Sequence, residues 1–72
     1  MTTTNQIIAS NLTNEERVDA LIAQNVNTVV ISDGNNVAYE TGFAQFLMDN
    51  YCWSNTRSGF TASLSRPKNQ NQ

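Results

Sequence analysis

The sequence predicts a small single α+β domain: a helix, a β-hairpin, an aromatic-rich helix, then an extended C-terminal tail with a short strand. Three observations predict this class. One stretch has the spacing of an amphipathic helix, another is a β-branched run followed by turn-forming residues, and a third carries five of the six aromatic residues within fifteen positions. Seventy-two residues hold one domain at most. Within it we expect an N-terminal arm or short helix at 1–12, a compact core at 13–53 and a basic extended tail at 54–72.

The N-terminal residues 1–12 are polar apart from Ile7, Ile8 and Leu12. Ile8 and Leu12 are four residues apart, which permits one or two helical turns. A flexible arm is the alternative, and the sequence does not decide between the two.

Residues 13–25 have the strongest helical pattern. Thr13 can cap the first turn and Glu16, three residues later, can reach back to it, which is the spacing of a capping box. Asn25 can adopt the left-handed conformation that ends a helix. One face of this predicted helix is apolar, and its stripe consists of Val18, Leu21, Ile22 and Val26.

Residues 28–41 are predicted to form a β-hairpin. The segment 28–31 is β-branched throughout, and a second apolar segment follows at 37–39. Between them, residues 33–36 have the sequence Asp-Gly-Asn-Asn, which is rich in turn formers that tolerate positive φ.

An alternative interpretation begins a helix near Asn36 and continues it to Tyr51. In that case four apolar side chains recur every four residues: Tyr39, Phe43, Leu47 and Tyr51. Gly42 inside such a helix costs about 1 kcal/mol relative to alanine. This cost favours the hairpin.

Residues 42–53 are predicted to be helical in either case, with Thr41 as a plausible cap. Cys52 near its end is expected to be buried as a small hydrophobic residue. The apolar face of this helix comprises Phe43, Phe46, Leu47 and Tyr51.

The C-terminal segment contains a short alternating pattern. Phe60, Ala62 and Leu64 are separated by Thr61 and Ser63, which is the period of a β-strand. We expect this strand to pair with the edge of the hairpin, in the same chain or in a neighbouring copy.

The charges divide the chain into two parts. Residues 1–53 hold all six acidic residues and a single base, Arg17, for a formal net charge of −5. Residues 54–72 hold three bases and no acid, for a net charge of +3. A basic segment on an acidic body favours head-to-tail contact between copies.

The residue inventory argues against an enzyme and against a resident cofactor. There is no histidine for acid–base catalysis, and the one cysteine has no neighbouring base to activate it. One cysteine also excludes an internal disulfide and a cysteine-histidine zinc site. We expect no catalytic residue, no metal, no small-molecule substrate and no membrane span.

Nucleic-acid binding has one supporting feature. Aromatic and basic residues interleave in the order Trp53, Arg57, Phe60, Arg66 and Lys68. Three positive charges neutralise about three phosphates, however, and the acidic part of the chain repels the same ligand. We therefore do not expect a nucleic-acid partner.

Small size is the main argument for a protein partner. A core of this size rarely supplies more than about 3–5 kcal/mol without a disulfide or a metal. We expect a structural or assembly subunit of a multi-copy complex, such as a component of a viral particle. The alternative is a small regulator or inhibitor that docks on a larger protein. The sequence lacks a signal peptide, so we expect an intracellular or virion location. The predicted partner-binding residues are Phe43, Phe46, Tyr51, Trp53, Arg57, Phe60, Leu64, Arg66 and Lys68.

Overall fold

The computed structural model describes residues 3–68 and confirms an α+β domain. Four short helices and three strands follow the order α-α-β-α-α-β-β. None of the helices in the described range is long and apolar enough to cross a membrane. The elements are α1 (Thr4–Ile8), α2 (Asn14–Ala23), β1 (Thr28–Ser32), α3 (Asn36–Glu40), α4 (Phe43–Asn50), β2 (Tyr51–Thr56) and β3 (Gly59–Pro67).

Helix α2 confirms the predicted capping box. The Thr13 hydroxyl accepts from the Glu16 backbone N–H at 3.1 Å, and the Glu16 carboxylate accepts from the Thr13 N–H at 3.0 Å. Asn25 has a φ of 65°, the left-handed conformation predicted after the helix.

Within the N-terminal segment, Thr4–Ile8 form the short helix α1. Thr3 and Gln6 form a second capping box at its start. Ile7 and Ile8 are buried in the core, so this segment is part of the domain.

The predicted hairpin at 28–41 is wrong in its second half. β1 is a strand, but residues 36–40 form α3. The Asn35 side chain accepts from the Ala38 N–H at 3.3 Å, so the turn-forming segment caps a helix and does not return the chain to β1. Ala38 is buried while its neighbours on both sides are exposed.

The alternative long helix is also interrupted. Gly42 has a φ of 80° and separates α3 from α4, where it is the N-cap residue in place of the predicted Thr41. The predicted helix at 42–53 is too long at its C-terminal end. α4 ends at Asn50, and the next three residues begin β2, where aromatic side chains are favoured.

The sheet is antiparallel and has the strand order β1-β3-β2. The strand predicted in the C-terminal segment is therefore its central strand. β3 contributes Phe60, Ala62 and Leu64 to the core, so it is not a tail beside it, while residues 69–72 lie outside the described range. A central strand needs a partner on each side, and here the two partners of β3 are β1 and β2.

The helices cover one face of the sheet. The alternating residues Phe60, Ala62 and Leu64 of β3 point toward them, together with Val29 and Ile31 of β1. The helices contribute the remaining buried apolar side chains: Ile7, Ile8, Val18, Leu21, Ala38, Phe43, Ala44 and Leu47.

Candidate protein-interaction surface

The nine predicted partner-binding residues divide into three groups by burial. Three of them are fully packed inside the domain, so their side chains have no surface left for a partner: Phe43, Phe60 and Leu64. Phe46, Tyr51 and Trp53 are half-buried, and Arg57, Arg66 and Lys68 are exposed. A partner-binding role stays a prediction for the members of the last two groups.

The half-buried aromatic residues lie where α4 meets β2. The Phe46 and Tyr51 rings are 6.5 Å apart at an angle of 57°. Trp53 packs edge-on against Phe60, with ring centroids separated by 5.6 Å. Tilted and edge-on contacts are the favourable geometries for aromatic pairs. Much of the predicted aromatic surface is thus occupied by contacts within the domain.

The half-buried phenol of Tyr51 is affected by burial and by acidic side chains of α2. Burial raises the pKa of its phenol above the ordinary value of 10.0, and the carboxylates of Asp19 and Glu15 raise it further. The negative charges of α2 thus disfavour ionisation of the phenol at the start of β2.

The basic residues do not form one patch. Arg57 lies in the turn between β2 and β3, next to the pair Thr56–Gly59. Arg66 and Lys68 lie at the opposite end of the hairpin, where Tyr51 pairs with the end of β3. The fold separates charges that the sequence places within twelve residues of one another.

No helix formed by residues 3–68 covers the second face of the sheet, which is built mostly of small side chains. Val30 is its most apolar member and is 65% exposed. Cys52 is exposed here, which contradicts the expected burial of its thiol. A shallow depression of about 340 Å³ on this side is lined by Thr28, Cys52, Trp53, Ser54, Thr61, Ser63 and Arg66.

Each of the two outer strands has backbone groups without a partner strand in the described part of the chain. For β1, the hydrogen bonds at its two ends show which residues direct these groups outward. The Leu64 backbone N–H donates to the Asn27 carbonyl at 2.8 Å, and the Asp33 backbone N–H donates to the Ser58 carbonyl at 2.7 Å. Successive residues of an antiparallel strand point their N–H and C=O groups to opposite sides. In β1 the backbone N–H and C=O groups of Thr28, Val30 and Ser32 therefore point away from β3, toward the free edge.

The same alternation applies to β2. The even-numbered residues of β3 face β1, so its odd-numbered residues face β2, where Thr61 pairs with Ser54. Trp53 and Asn55 are left with outward backbone groups. No strand in the described part of the chain pairs with either outer edge.

Sequence reasoning missed the β1 edge because it assigned a local partner to this strand. A signal was present. Residues 28–32 are almost entirely β-branched and carry neither charge nor proline. Charges and prolines are the usual means of preventing a strand edge from pairing with another chain.

Neither a metal centre nor a match to known proteins supplies a function. Residues 3–68 contain no group of three or more cysteine, aspartate or glutamate side chains placed to hold a metal ion. The sequence matches no protein-family model, and no curated protein or solved structure is detectably similar to it.

Proposed function

We propose that this protein is a non-enzymatic assembly subunit that associates with copies of itself through the free edge of β1. The single observation that carries the proposal is the unprotected state of this edge. Three residues direct backbone donors and acceptors outward, and the exposed Val30 lies at their centre. An edge of this kind is a template for another strand.

A two-fold axis through Val30 satisfies all of these groups. Antiparallel pairing places Val30 opposite Val30 of the second copy, and Thr28 opposite Ser32 of the second copy. Each is a hydrogen-bonded type of pair, so about six inter-strand hydrogen bonds form. The axis is perpendicular to the sheet, so the helices of both copies lie on one face of a six-stranded sheet.

The charges at the ends of β1 are compatible with this register. Asp33 falls opposite Asn27 of the second copy, so no two acidic residues face one another. Val29 falls opposite Ile31 on the helix-covered face, which extends the apolar layer across the junction. Cross-strand pairs of β-branched residues stabilise sheets.

The pairing is expected to be weak. One five-residue strand offers an interface at the small end of the range for protein complexes. Each hydrogen bond contributes about 0.5–1.5 kcal/mol, against a larger cost of association. We expect a dissociation constant of about micromolar or weaker, which suits a subunit that is held by many contacts in a multi-copy complex.

The test is sedimentation velocity across a range of protein concentrations. Val30→Lys places like charges opposite one another and should yield a monomer at concentrations where the parent chain dimerises. Val37→Lys is the matched control, because Val37 is 40% exposed on α3 and lies outside β1. It should dimerise like the parent chain.

A parent chain that stays monomeric up to about millimolar concentration would refute self-association at any strength that this interface can supply. The same edge would then favour the second hypothesis, a small regulator that adds its strand to a larger protein. Equal dimerisation of both lysine variants would refute the β1 edge as the contact.

A further inference from the structure

Arg17 is the one charged side chain among residues 3–68 that the fold buries, with 6% of its surface exposed. It lies in the second turn of α2. One terminal nitrogen donates to the Asn14 side-chain oxygen at 2.6 Å, and the other donates to the Ser10 carbonyl at 2.7 Å. Both acceptors are neutral.

The guanidinium is under-satisfied in this position. Its Nε is buried and has no hydrogen-bond acceptor in the described part of the chain. Arginine keeps its positive charge at all physiological pH values and carries five N–H donors. Burying such a charge beside neutral acceptors is unfavourable, and an anionic partner relieves the penalty.

An open pocket of about 480 Å³ adjoins Arg17 between the end of α1, the start of α2 and the end of α3. No acidic residue lines it, and Arg17 is its only charged member. Its lining residues are Ala9, Ser10, Asn11, Leu12, Thr13, Asn14, Arg17 and Thr41.

Hydrogen-bond donors accompany this charge. The Thr13 hydroxyl oxygen accepts from the Glu16 N–H, which leaves its own hydrogen to donate. The first backbone N–H groups of α2 also lack partners within the helix. Glu16 is the nearest acid in sequence, and its carboxylate is engaged by the Thr13 N–H at 3.0 Å.

We infer that this pocket binds a small oxyanion, a phosphate or a carboxylate group, with Arg17 as its principal ligand. Thr13 and the start of α2 supply the additional donors, an arrangement that suits anions. Ala9 and Leu12 form an apolar wall beside the molecule that carries the oxyanion. The site is separate from the β1 edge and does not depend on self-association.

The experiment is an NMR titration of the full chain with inorganic phosphate, and separately with acetate, at constant ionic strength. The Arg17 Nε–H resonance and the backbone amides of residues 9–17 should shift together and saturate with at least one of the two anions. The anion that saturates at lower concentration identifies the preferred class. Linear, unsaturated shifts with both anions would overturn the proposal.

Leu12→Glu tests the location of the site. Leu12 is 38% exposed at the pocket, so a carboxylate there competes with the ligand for the guanidinium and should weaken binding about tenfold or more. Ile22→Glu makes the same charge change at a 50% exposed position of α2 that does not line the pocket. Equal weakening in both variants would show that binding depends on net charge and would also overturn the proposal.

Discussion

The two edge strands of the sheet lie on either side of the same central strand and differ in how well they are protected. β1 pairs with β3 in an uninterrupted register from Thr28–Ser63 to Ser32–Gly59. β2 has a break in register, because Tyr51 pairs with Pro67 while the next residue, Cys52, pairs with Ser63. Irregular registers twist an edge and disfavour its pairing with another chain.

The outward backbone groups differ as well. Those of β1 belong to residues whose side chains are on the open face, where the neighbouring side chains of the sheet are small. Those of β2 belong to Trp53 and Asn55, whose side chains are on the helix side of the sheet. A strand that paired with the outer edge of β2 would have to lie beside the half-buried indole of Trp53. Both edges are exposed, so under the proposed function it is the regular register and the small neighbouring side chains that distinguish β1 as the docking strand.

The largest expected effect comes from the contact between β1 and β3. A Cβ atom on Gly59 would lie 1.9 Å from the backbone oxygen of Ile31, so Gly59→Ala forces the two strands apart. We expect a loss of about 3 kcal/mol in the free energy of unfolding, measured by chemical denaturation. Because β3 pairs with both outer strands, this loss of stability would affect the β1 edge and the β2 edge together.

Gly34→Ala is the matched control for this substitution. No atom lies within 4 Å of the added Cβ at Gly34, so the free energy of unfolding should change by less than about 1 kcal/mol. Similar losses in the two alanine variants would contradict the close approach of β1 to Gly59.

A smaller effect sharpens the difference between the two edges. The chain is short enough for chemical synthesis, so one backbone N–H can be methylated at Val30 or at Asn55. Methylation at Val30 removes an outward donor of β1 and should weaken dimerisation at least about tenfold, as measured by sedimentation. Methylation at Asn55 removes an outward donor of β2 and should leave dimerisation unchanged. The reverse pattern would assign self-association to β2.

The smallest effect concerns the start of β2 and its pH dependence. The folded state raises the pKa of Tyr51, so it favours the neutral phenol. The contribution of this phenol to the free energy of unfolding is therefore complete below pH 10 and is lost as the pH rises through the folded-state pKa. Tyr51→Phe should therefore make the decline in the unfolding free energy at alkaline pH less steep. Denaturation at a series of pH values from 8 to about 11.5 measures this.

Tyr39→Phe provides the matched control, since it removes a phenol that is 43% exposed on α3. An equal change in both phenylalanine variants would show that the alkaline decline does not arise from the burial of Tyr51 or from its acidic neighbours on α2.

Local signals in the sequence predicted the parts of the fold that local interactions determine. Thr13 and Glu16 lie within one helical turn of each other, so their capping box could be predicted from spacing alone. Phe60, Ala62 and Leu64 alternate with polar residues, and this period predicted a strand before its partners were known. The left-handed conformation of Asn25 and the strand formed by the β-branched run of β1 could likewise be predicted from nearby residues alone.

Local signals were ambiguous where one residue type suits two structures. The Asp33-Gly34-Asn35-Asn36 segment suits a hairpin turn, but Asn35 is equally suited to cap a helix, and that is what it does. Tyr51 and Trp53 fit an aromatic helix face by spacing and a strand by propensity. For Tyr51 and Trp53, pairing with β3 decided in favour of the strand.

By itself the sequence determined an α+β domain, the start of α2, the presence of β1 and β3, and the absence of charge along β1. Only the tertiary structure decided that β3 is central, that the β1 edge has no partner strand in the described part of the chain, and that Arg17 is buried at a pocket lined by no acidic residue. The physical reason is distance along the chain. Caps and periodicity act within a few residues, whereas pairing of Thr28 with Ser63 depends on which apolar faces are buried together.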